Sequence, residues 1–373
     1  MRKLRVGIDA HMSVGAFRGM GRYARELVSQ CDEEVLWLAC AAQRSDPLVN
    51  HASGPELYPL WEQMVLPRLC RDLELDVLVC PYNTAPLRAL GPTKLLLVVH
   101  DLIYLQPART VPIGGSLYQL AGRAYRRFVV PPAVAHADAI ITVSRFSAAE
   151  LERNLGCMKP VFIVPNTVDE SWFCAQPSAA PAAQDPFVLA VSGEAPHKNL
   201  QRVISAFVQA RQSAHVPHGV RLRIAGVSRG ATETVRHKLE RENVGDAVDI
   251  LPYMPPDDMQ ALYRSASALL FPSLVEGFGI PVIEAMASGC PVITSDRGSL
   301  PEVAGDAALF VDPLATTEIA SAIVRVLADR NLALALAAKG KANAERFHPR
   351  NVHPRMRDVW NSVRGICTHD QAA

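Results

Sequence analysis

The sequence predicts an α/β protein made of two doubly wound units, each a parallel sheet with helices on both faces. Three observations indicate this fold class. Short apolar runs alternate with amphipathic stretches along the chain, the alternation occurs in two halves, and a Pro- and Ala-rich stretch without periodicity, 174–186, separates them. The length of 373 residues also exceeds what one typical hydrophobic core holds, so two domains are expected.

The predicted strands are short apolar runs, and the predicted helices are stretches with apolar residues at helical spacing. In the first half, strands are predicted at 4–10, 35–40, 76–80, 94–100, 139–143 and 161–164, and helices at 22–30 and 147–155. In the second half, strands are predicted at 187–192, 221–226, 248–251, 268–271, 291–294 and 308–311, and helices at 200–213, 232–242, 257–265, 281–288 and 316–328.

The predicted domain boundaries follow from these elements. The first domain is 1–173, the linker is 174–186 and the second domain is 187–348. The remaining residues, 349–373, begin with an amphipathic stretch that is predicted to be a helix. This helix either crosses back to the first domain or caps the second.

Composition excludes several classes of protein. A hydrophobic content of 49% and a charged content of 20% are typical of a globular protein, and a net charge of +1 provides no global field for nucleic acid or anionic lipid. The eight cysteines are scattered, so neither a disulfide framework nor a zinc site is expected, and the reducing cytosol is the expected compartment. The first predicted strand leaves no room for a signal peptide, and no apolar run reaches the roughly 18 residues of a membrane span.

The most informative segment is 273–292, in which Glu276 and Glu284 are separated by seven residues. It joins a predicted strand to a predicted helix through a Gly-rich turn, with a proline near the helix start and a glycine just past its end. Backbone N–H groups of 277–279 and the helix dipole can hold an anion there. A phosphate held between two carboxylates, which accept hydrogen bonds from sugar hydroxyls, is the arrangement expected of a nucleotide-sugar site. A capped surface helix is the alternative, but it does not explain the clustered glycines.

This segment resembles the donor site of the retaining GT-B glycosyltransferases of family 4, whose hallmark is two Glu separated by seven residues. The pattern Phe-Pro-Ser, Glu-Gly-Phe-Gly, Pro, Glu-Ala-Met-Ala, Gly-Cys-Pro-Val matches that family closely. The resemblance implies two Rossmann-like domains facing each other across a cleft, with the acceptor in the first and the nucleotide-sugar in the second. It also implies that Glu276 holds hydroxyls of the donor sugar and Glu284 those of the ribose.

Two further strand-end residues match the family. Lys198 stands where the family's lysine neutralises the leaving diphosphate, although a solvated lysine at a helix start is the alternative. His197 replaces the usual neighbouring Arg, and Ser192 stands where some members have a second diphosphate-binding Arg, so the source of a second cation is open. His100 ends a predicted strand, and the resemblance implies that it hydrogen-bonds the donor sugar; a satisfied, half-buried histidine is the alternative.

The Gly-rich stretch 15–23 resembles the family's first Gly-rich loop, which approaches phosphates and acceptor. It is not Gly-x-Gly-x-x-Gly, which disfavours a nicotinamide oxidoreductase. The predicted catalytic residues are therefore Glu276, Lys198 and His100, and those of the acceptor and phosphate loop are Gly19 and Gly21. The predicted donor-binding residues, which include two at the family's base-contacting position after a strand, are Gly193, Lys198, Tyr253, Met254, Glu276, Gly277, Phe278, Gly279, Ile280 and Glu284.

The sequence thus predicts a retaining hexosyltransferase of bacterial surface glycan biosynthesis with a lipid-linked or growing polysaccharide acceptor. Gly-Ile-Asp-Ala at 7–10, Gly-Met-Gly-Arg-Tyr at 19–23 and His-Asp-Leu-Ile at 100–103 resemble mannosyltransferases, so GDP-mannose is the expected donor, with a UDP- or dTDP-hexose left open. No Asp-x-Asp cluster marks the predicted crevice, so no metal cofactor is expected. Two alternatives are a nucleotide-sugar epimerase on the same fold and a non-catalytic partner in a glycosylation complex.

A cytoplasmic location is expected, with no nucleic-acid partner and with contact to the inner membrane through the first domain as one interpretation. The Arg-rich stretch 122–130 follows the apolar residues 113–120 and has the composition of a membrane-surface segment. A solvated helix face beside core residues is the other interpretation. The oligomeric state is not predicted.

Overall fold

The computed structural model describes residues 2–15, 19–113, 117–173, 186–241 and 244–369, so all of the predicted linker except Pro186 lies outside the described residues. The chain forms two compact units. Unit 1 contains Met1–Leu105, Ala121–Asn166 and Arg350–Ala373, and unit 2 contains Gln106–Leu120 and Thr167–Pro349. The segments 106–120 and 167–173, which the sequence predicts in the first domain, thus cluster with unit 2.

Unit 1 is built on a seven-stranded sheet in the order β3-β2-β1-β4-β5-β6-β7, with every neighbouring pair parallel. Its central strands are apolar and buried because helices cover both faces of a parallel sheet. The strands are β1 Arg5–Asp9, β2 Glu34–Ala39, β3 His51–Ala52, β4 Val77–Cys80, β5 Lys94–Val99, β6 Ala139–Thr142 and β7 Val161–Ile163.

Five α-helices of the described residues, α1 to α5, precede β7 in the chain. A π-helical turn, Trp61–Val65, separates the short helices α2 and α3. Ser144 caps the N-terminus of α5 by accepting from the Ser147 backbone N–H at 3.0 Å, and Gly156 ends the helix in the left-handed conformation. The helices are α1 Gly19–Ser29, α2 Tyr58–Leu60, α3 Leu66–Asp72, α4 Leu117–His136 and α5 Arg145–Leu155.

The last helix, α14 Pro349–His369, packs on unit 1. Trp360 Nε1 donates to the Leu27 carbonyl oxygen at 2.9 Å, and His353 Nε2 lies 2.9 Å from Glu26 Oε1. Arg364 forms an ion pair with Glu33. These contacts tie the end of the chain to α1 and the segment that follows it.

Unit 2 is built on a six-stranded parallel sheet in the order β10-β9-β8-β11-β12-β13. The chain order reverses between β8 and β11, and ligands of doubly wound sheets bind at such a point, outside the carboxyl ends of the strands. The strands are β8 Phe187–Val191, β9 Arg221–Ala225, β10 Val248–Ile250, β11 Ala268–Phe271, β12 Val292–Ser295 and β13 Leu309–Val311. The helices are α6 Glu170–Phe173, α7 Leu200–Arg211, α8 Arg229–Arg241, α9 Pro256–Ser265, α10 Ile280–Ala287, α11 Leu300–Ala304, α12 Thr316–Ala328 and α13 Arg330–Ala344.

The predicted fold class, α/β with two doubly wound parallel sheets, is confirmed. All twelve predicted strands occur, with ends that differ by at most one residue. The sequence did not predict the two-residue β3, or the helices α2, α3, α4, α6, α11 and α13. None of the described helices is long and apolar enough to cross a membrane.

Candidate functional site

The loops that follow β8 and β11 lie side by side because these two strands are parallel neighbours, with Leu189 opposite Leu269. The Leu274 backbone N–H donates to the His197 carbonyl oxygen at 2.8 Å. Asn199 is buried with a φ of 58°, and its Nδ2 donates to the carbonyl oxygens of Pro272 at 2.9 Å and Pro313 at 2.7 Å. One side chain therefore ties three strand-end loops together.

Lys198 and Glu276 meet where these two loops touch. Lys198 Nζ donates to Glu276 Oε1 at 2.8 Å and lies 5.1 Å from the centre of the Phe271 ring. Glu276 is 7% exposed, and burial alone would raise its pKa; the neighbouring Lys198 ammonium and His197 ring outweigh burial and lower the pKa below the ordinary value. Glu276 is therefore a carboxylate at neutral pH, and the two predicted catalytic residues of unit 2 form one ion pair.

The Gly-rich turn 276–279 is supported by the loop after β12. Ser299 Oγ lies 3.0 Å from the Glu276 carbonyl oxygen and 2.8 Å from that of Phe278, so its hydroxyl donates between them. Gly298 has a φ of 65°, and a Cβ there would lie 2.9 Å from the Glu276 carbonyl oxygen. Only a glycine allows this close approach. Gly298 and Ser299 were not among the predicted site residues, although they belong to a Ser-Asp-Arg-Gly-Ser stretch at the carboxyl end of a predicted strand, which is where ligands of such sheets bind.

Glu284 lies on α10, which Gly279 precedes with a φ of 108°. The helix begins at Ile280, one residue earlier than predicted, so Glu284 opens its second turn rather than lying in the first. Its side chain is half-buried, and Oε2 accepts a hydrogen bond from the Tyr263 hydroxyl at 3.2 Å. Tyr263 is a further residue that the sequence analysis did not single out.

The other predicted donor-binding residues lie on loops of unit 2 that follow β8 and β10. Gly193 approaches the β9 loop closely, since a Cβ there would lie 3.3 Å from the Gly226 carbonyl oxygen. Tyr253 follows β10 and is 72% exposed, so its ring is accessible from solvent. Met254 is half-buried. The strand order places these two residues at the sheet edge, with β8 and β9 between them and the β11 loop that carries Glu276.

His100, the third predicted catalytic residue, directly follows β5 in unit 1 and is 8% exposed. Its ring Nε2 lies 2.9 Å from the Pro81 carbonyl oxygen, and its backbone N–H donates to Asn83 Oδ1 at 2.6 Å. Because a carbonyl oxygen can only accept, the ring proton belongs on Nε2 and Nδ1 is the acceptor. Burial lowers the pKa of His100, so the ring is neutral at pH 7. A neutral ring with this tautomer can accept a hydroxyl hydrogen bond at Nδ1.

Gly19 and Gly21 lie in the first turn of α1 rather than in the predicted loop. Gly15, in the preceding turn, has a φ of 67°. The buried side chains of Tyr23 and Leu27 hold this helix against the core, and packing outweighs the low helix propensity of glycine. The remainder of the predicted Gly-rich loop includes residues 16–18, which lie outside the described residues.

A buried acidic pair that was not predicted as a site joins Asp9, the last residue of β1, to Glu62 in the π-helical turn. Asp9 and Glu62 are both fully buried, and the Tyr58 hydroxyl lies 2.9 Å from Asp9 Oδ2 and 2.9 Å from Glu62 Oε1. The hydroxyls of Thr84 and Tyr125 also donate to Glu62. Burial raises the pKa of Asp9 to about 8. The Glu62 charge acts in the same direction, whereas the hydrogen bonds from the His11 backbone and the Tyr58 hydroxyl oppose it. One phenol proton cannot serve both carboxylates at once, and the raised pKa of Asp9 lets the Asp9 carboxyl group hold a second proton at neutral pH.

Comparison with known proteins gives matches over both units. A Glycosyltransferase Family 4 model matches residues 17–172, and a Glycosyl transferases group 1 model matches residues 176–343. The chain is 31% identical over 219 residues to the O-antigen chain mannosyltransferase B of Escherichia coli, covering 57% of each protein. It is 28% identical over 229 residues to the O-antigen chain mannosyltransferase RfbU of Salmonella typhimurium, covering 60% of this chain and 62% of that protein.

Both matches leave more than a third of the relative's length uncovered, since they span 57% and 62% of those proteins. Among solved structures, the sucrose-phosphate synthase of Thermosynechococcus elongatus superposes with a TM-score of 0.78 at 20% identity, over 98% of this chain and 100% of that chain. At that identity, the similarity establishes the fold.

Proposed function

The chain belongs to the GT-B glycosyltransferases of family 4, and from that premise we propose that it transfers a hexose from a nucleotide-sugar to a glycan acceptor with retention of configuration. The observation that carries this proposal is the Lys198–Glu276 ion pair at the switch point of the unit 2 sheet. A buried carboxylate and a half-buried ammonium there can bind sugar hydroxyls and a diphosphate in one place.

Unit 2 binds the donor in this proposal. The Lys198 ammonium and the backbone N–H groups at the N-terminus of α10, from Gly277 to Ile280, hold the diphosphate. Glu276 accepts hydrogen bonds from hydroxyls of the sugar, and Glu284 accepts those of the ribose. The exposed Tyr253 ring stacks on the base, and Met254 and Gly193 contact the nucleotide through their loops.

The transfer step needs one bond to break and one to form. The bond between the sugar C1 and the leaving phosphate oxygen breaks as the acceptor oxygen attacks C1 on the same face. The proton of the acceptor hydroxyl passes to the leaving phosphate oxygen, so no protein base is consumed. Lys198 and the N–H groups of 277–279 stabilise the developing charge on the diphosphate, which is the main catalytic contribution. In unit 1, the neutral His100 ring offers Nδ1 as an acceptor for a hydroxyl group. No divalent metal takes part.

GDP-mannose is the proposed donor, and a lipid-linked or growing polysaccharide of a bacterial surface glycan is the proposed acceptor. The names of two relatives, both O-antigen chain mannosyltransferases, support this choice of sugar and pathway. A UDP- or dTDP-hexose is the competing donor class. We place the reaction in the cytoplasm, with unit 1 binding the acceptor.

An exposed apolar patch on unit 1 supports membrane contact. Leu60 is 46% exposed, Met64 52% and Phe128 74%. Gln63, beside Met64 in the chain, donates from Nε2 to the Tyr125 hydroxyl at 3.1 Å, and Phe128 lies one helical turn beyond Tyr125. The π-helical turn and α4 are therefore packed together, and each of them carries exposed apolar side chains.

The helix that carries Phe128, α4, also contains three arginines: Arg123, Arg126 and Arg127. An apolar surface with neighbouring cations is suited to an anionic lipid surface, where apolar side chains enter the headgroup region and arginines meet lipid phosphates. Vesicle flotation tests this part of the proposal. A Met64→Ser, Phe128→Ser double variant should lose binding to anionic vesicles. Met158→Ser, which replaces a 92% exposed apolar side chain elsewhere in unit 1, is the matched control and should bind normally.

A transfer assay tests the activity itself. Purified protein is incubated with radiolabelled GDP-mannose, UDP-glucose or dTDP-glucose and a bacterial lipid extract, with and without EDTA. The proposal predicts label in the lipid fraction from one donor, insensitive to EDTA and lost in Lys198→Met. Conversion of the sugar-nucleotide without any acceptor would favour an epimerase, and no turnover of any donor would favour a non-catalytic partner.

A further inference from the structure

Tyr263 is buried behind Glu284. It lies on α9 and is fully buried, and its hydroxyl donates to Glu284 Oε2 at 3.2 Å. Glu284 itself is half-buried, so part of this residue is accessible from solvent. A buried phenol thus touches a residue of the candidate site without belonging to the accessible surface of that site.

The Tyr263 ring has little freedom to move. The Trp172 ring packs against it with a centroid distance of 5.5 Å and an interplanar angle of 61°, and Trp172 is 4% exposed. Gln260, one turn earlier on α9, donates from Nε2 to Ser171 Oγ at 3.0 Å. These contacts hold α9 against α6, so the position of the hydroxyl is fixed by packing rather than by Glu284.

The hydrogen bond has one possible direction at every physiological pH. Burial, and then the nearby Glu284 carboxylate, raise the pKa of Tyr263 well above its ordinary value, so the phenol stays protonated and donates. A free glutamate side chain samples several rotamers. A fixed donor on Oε2 reduces that freedom and orients the plane of the carboxylate.

An oriented carboxylate suits a diol. A carboxylate has two oxygens and about four lone-pair sites, so Glu284 can accept from Tyr263 and from two further hydroxyls. The 2′- and 3′-hydroxyls of a ribose are neighbouring donors on one face of the ring. A 2′-deoxyribose offers only the 3′-hydroxyl, so one acceptor position of the oriented Glu284 carboxylate receives no hydrogen bond from the sugar.

We propose that Tyr263 is a positioning residue that holds the Glu284 carboxylate for the ribose diol and thereby makes the site prefer ribonucleotide over 2′-deoxyribonucleotide donors. This inference rests on the proposed function, in which Glu284 receives the ribose. It identifies the donor class as a ribonucleoside diphosphate sugar and disfavours a dTDP-sugar.

Isothermal titration of GDP and 2′-deoxy-GDP tests the proposal on the full chain, with UDP and 2′-deoxy-UDP as the pair if the protein binds uracil instead. Tyr263→Phe removes only the hydroxyl and keeps the packed ring. It should weaken GDP binding about fivefold, the effect of one net hydrogen bond, while 2′-deoxy-GDP binding changes less, so the preference falls. Tyr82→Phe is the matched control: it removes another buried phenol hydroxyl, 2.5 Å from Ser13 Oγ in unit 1, and should keep the preference.

A double-mutant cycle separates positioning from a general structural effect. Glu284→Ala should abolish the preference, and adding Tyr263→Phe to it should change nucleotide affinity no further, because Tyr263 acts only through Glu284. Equal weakening of both nucleotides by Tyr263→Phe, or an unchanged preference, would overturn the positioning role alone. If the unchanged protein bound no nucleoside diphosphate, the proposed function would fail and this inference with it.

Discussion

Lys198 Nζ lies 2.8 Å from Glu276 Oε1, so the two groups proposed to bind the diphosphate and the sugar form an ion pair with each other. The pair is unequal: the Glu276 side chain is 9% exposed and that of Lys198 is 26% exposed. The ammonium can therefore turn toward a diphosphate more readily than the carboxylate can leave its position. We infer that donor binding redirects Lys198 while Glu276 stays in place.

Glu276→Gln should separate nucleotide binding from transfer. The amide is nearly isosteric, releases the Lys198 ammonium and removes a negative charge beside the diphosphate. We expect GDP to bind several-fold more tightly, since a partly screened charge pair contributes on the order of 1 kcal/mol. Transfer should fall about 100-fold, because the donor sugar loses a charged hydrogen-bond acceptor. Titration and the transfer assay measure the two effects; weaker binding of GDP by the variant would contradict this competition.

Removal of Lys198 should destabilise the fold through Glu276. Lys198→Met leaves a buried carboxylate without its cation, which should lower the free energy of unfolding by about 2 kcal/mol. Adding Glu276→Gln removes the uncompensated charge and should recover most of that loss. Urea unfolding at pH 7 measures both variants. Equal stability of Lys198→Met and the double variant would show that the charge pair has little part in folding.

The buried Asp9 should make stability fall as pH rises. Its pKa is about 8 in the folded protein, against an ordinary value of 3.8, so between these two pH values the folded state holds one more proton than the unfolded state. The contribution of Asp9 to the free energy of unfolding is fully present below the pKa of the unfolded state. It is lost progressively as pH rises to the pKa of the folded state. Asp9→Asn removes the titration but keeps an N–H donor toward Tyr58 at 2.9 Å.

Urea unfolding from pH 5 to 7.5 tests this linkage. The stability of Asp9→Asn relative to the unchanged protein should rise by about 1.4 kcal/mol per pH unit. Other groups that face the pair, namely Glu62, Tyr58, Tyr82, Cys80 and His11, are present in both proteins, so their effects cancel to first order. A constant difference across this range would contradict the protonated Asp9.

Asn199 should control the position of Lys198. Asn199→Gly tolerates the φ of 58° but loses the two hydrogen bonds to Pro272 and Pro313, and it should weaken GDP binding as the loop loosens. Asn199→Ala loses the same bonds and adds about 1 kcal/mol of strain from the left-handed conformation. The urea midpoint of unfolding should be highest for the unchanged protein, lower for Asn199→Gly and lowest for Asn199→Ala. An alanine variant as stable as the glycine variant would contradict the strained conformation.

The sequence predicts the strands well because each is a short apolar run buried between two layers of helices, as in Ala268–Phe271. It fails for α4, where Pro131 and Pro132 interrupt a helical pattern that continues through them. It also fails for α13, whose apolar residues are spread around the helix rather than along one stripe. In both, packing rather than local pattern determines the helix.

The candidate site is predictable where it depends on local spacing and not where it depends on tertiary contacts. Glu276 and Glu284 share one strand-turn-helix segment, so their pattern is visible in the sequence. Lys198 and Glu276 are 78 residues apart, and Tyr263 lies on a helix that precedes the motif. Their contacts follow from the packing of neighbouring elements, which residue spacing does not encode. The position of Gly19 and Gly21 in α1 is likewise set by the burial of that helix.

The most direct test of the central claim is a thermal-shift panel of GDP, UDP, dTDP and ADP on the unchanged protein and on Lys198→Met, with and without EDTA. A bound ligand at one hundred times its Kd raises the free energy of unfolding by about 2.7 kcal/mol. A metal-independent donor site centred on Lys198 predicts a clear shift with one ribonucleotide, unchanged by EDTA and lost in the variant. A shift that EDTA abolishes, or one that Lys198→Met retains in full, would contradict it.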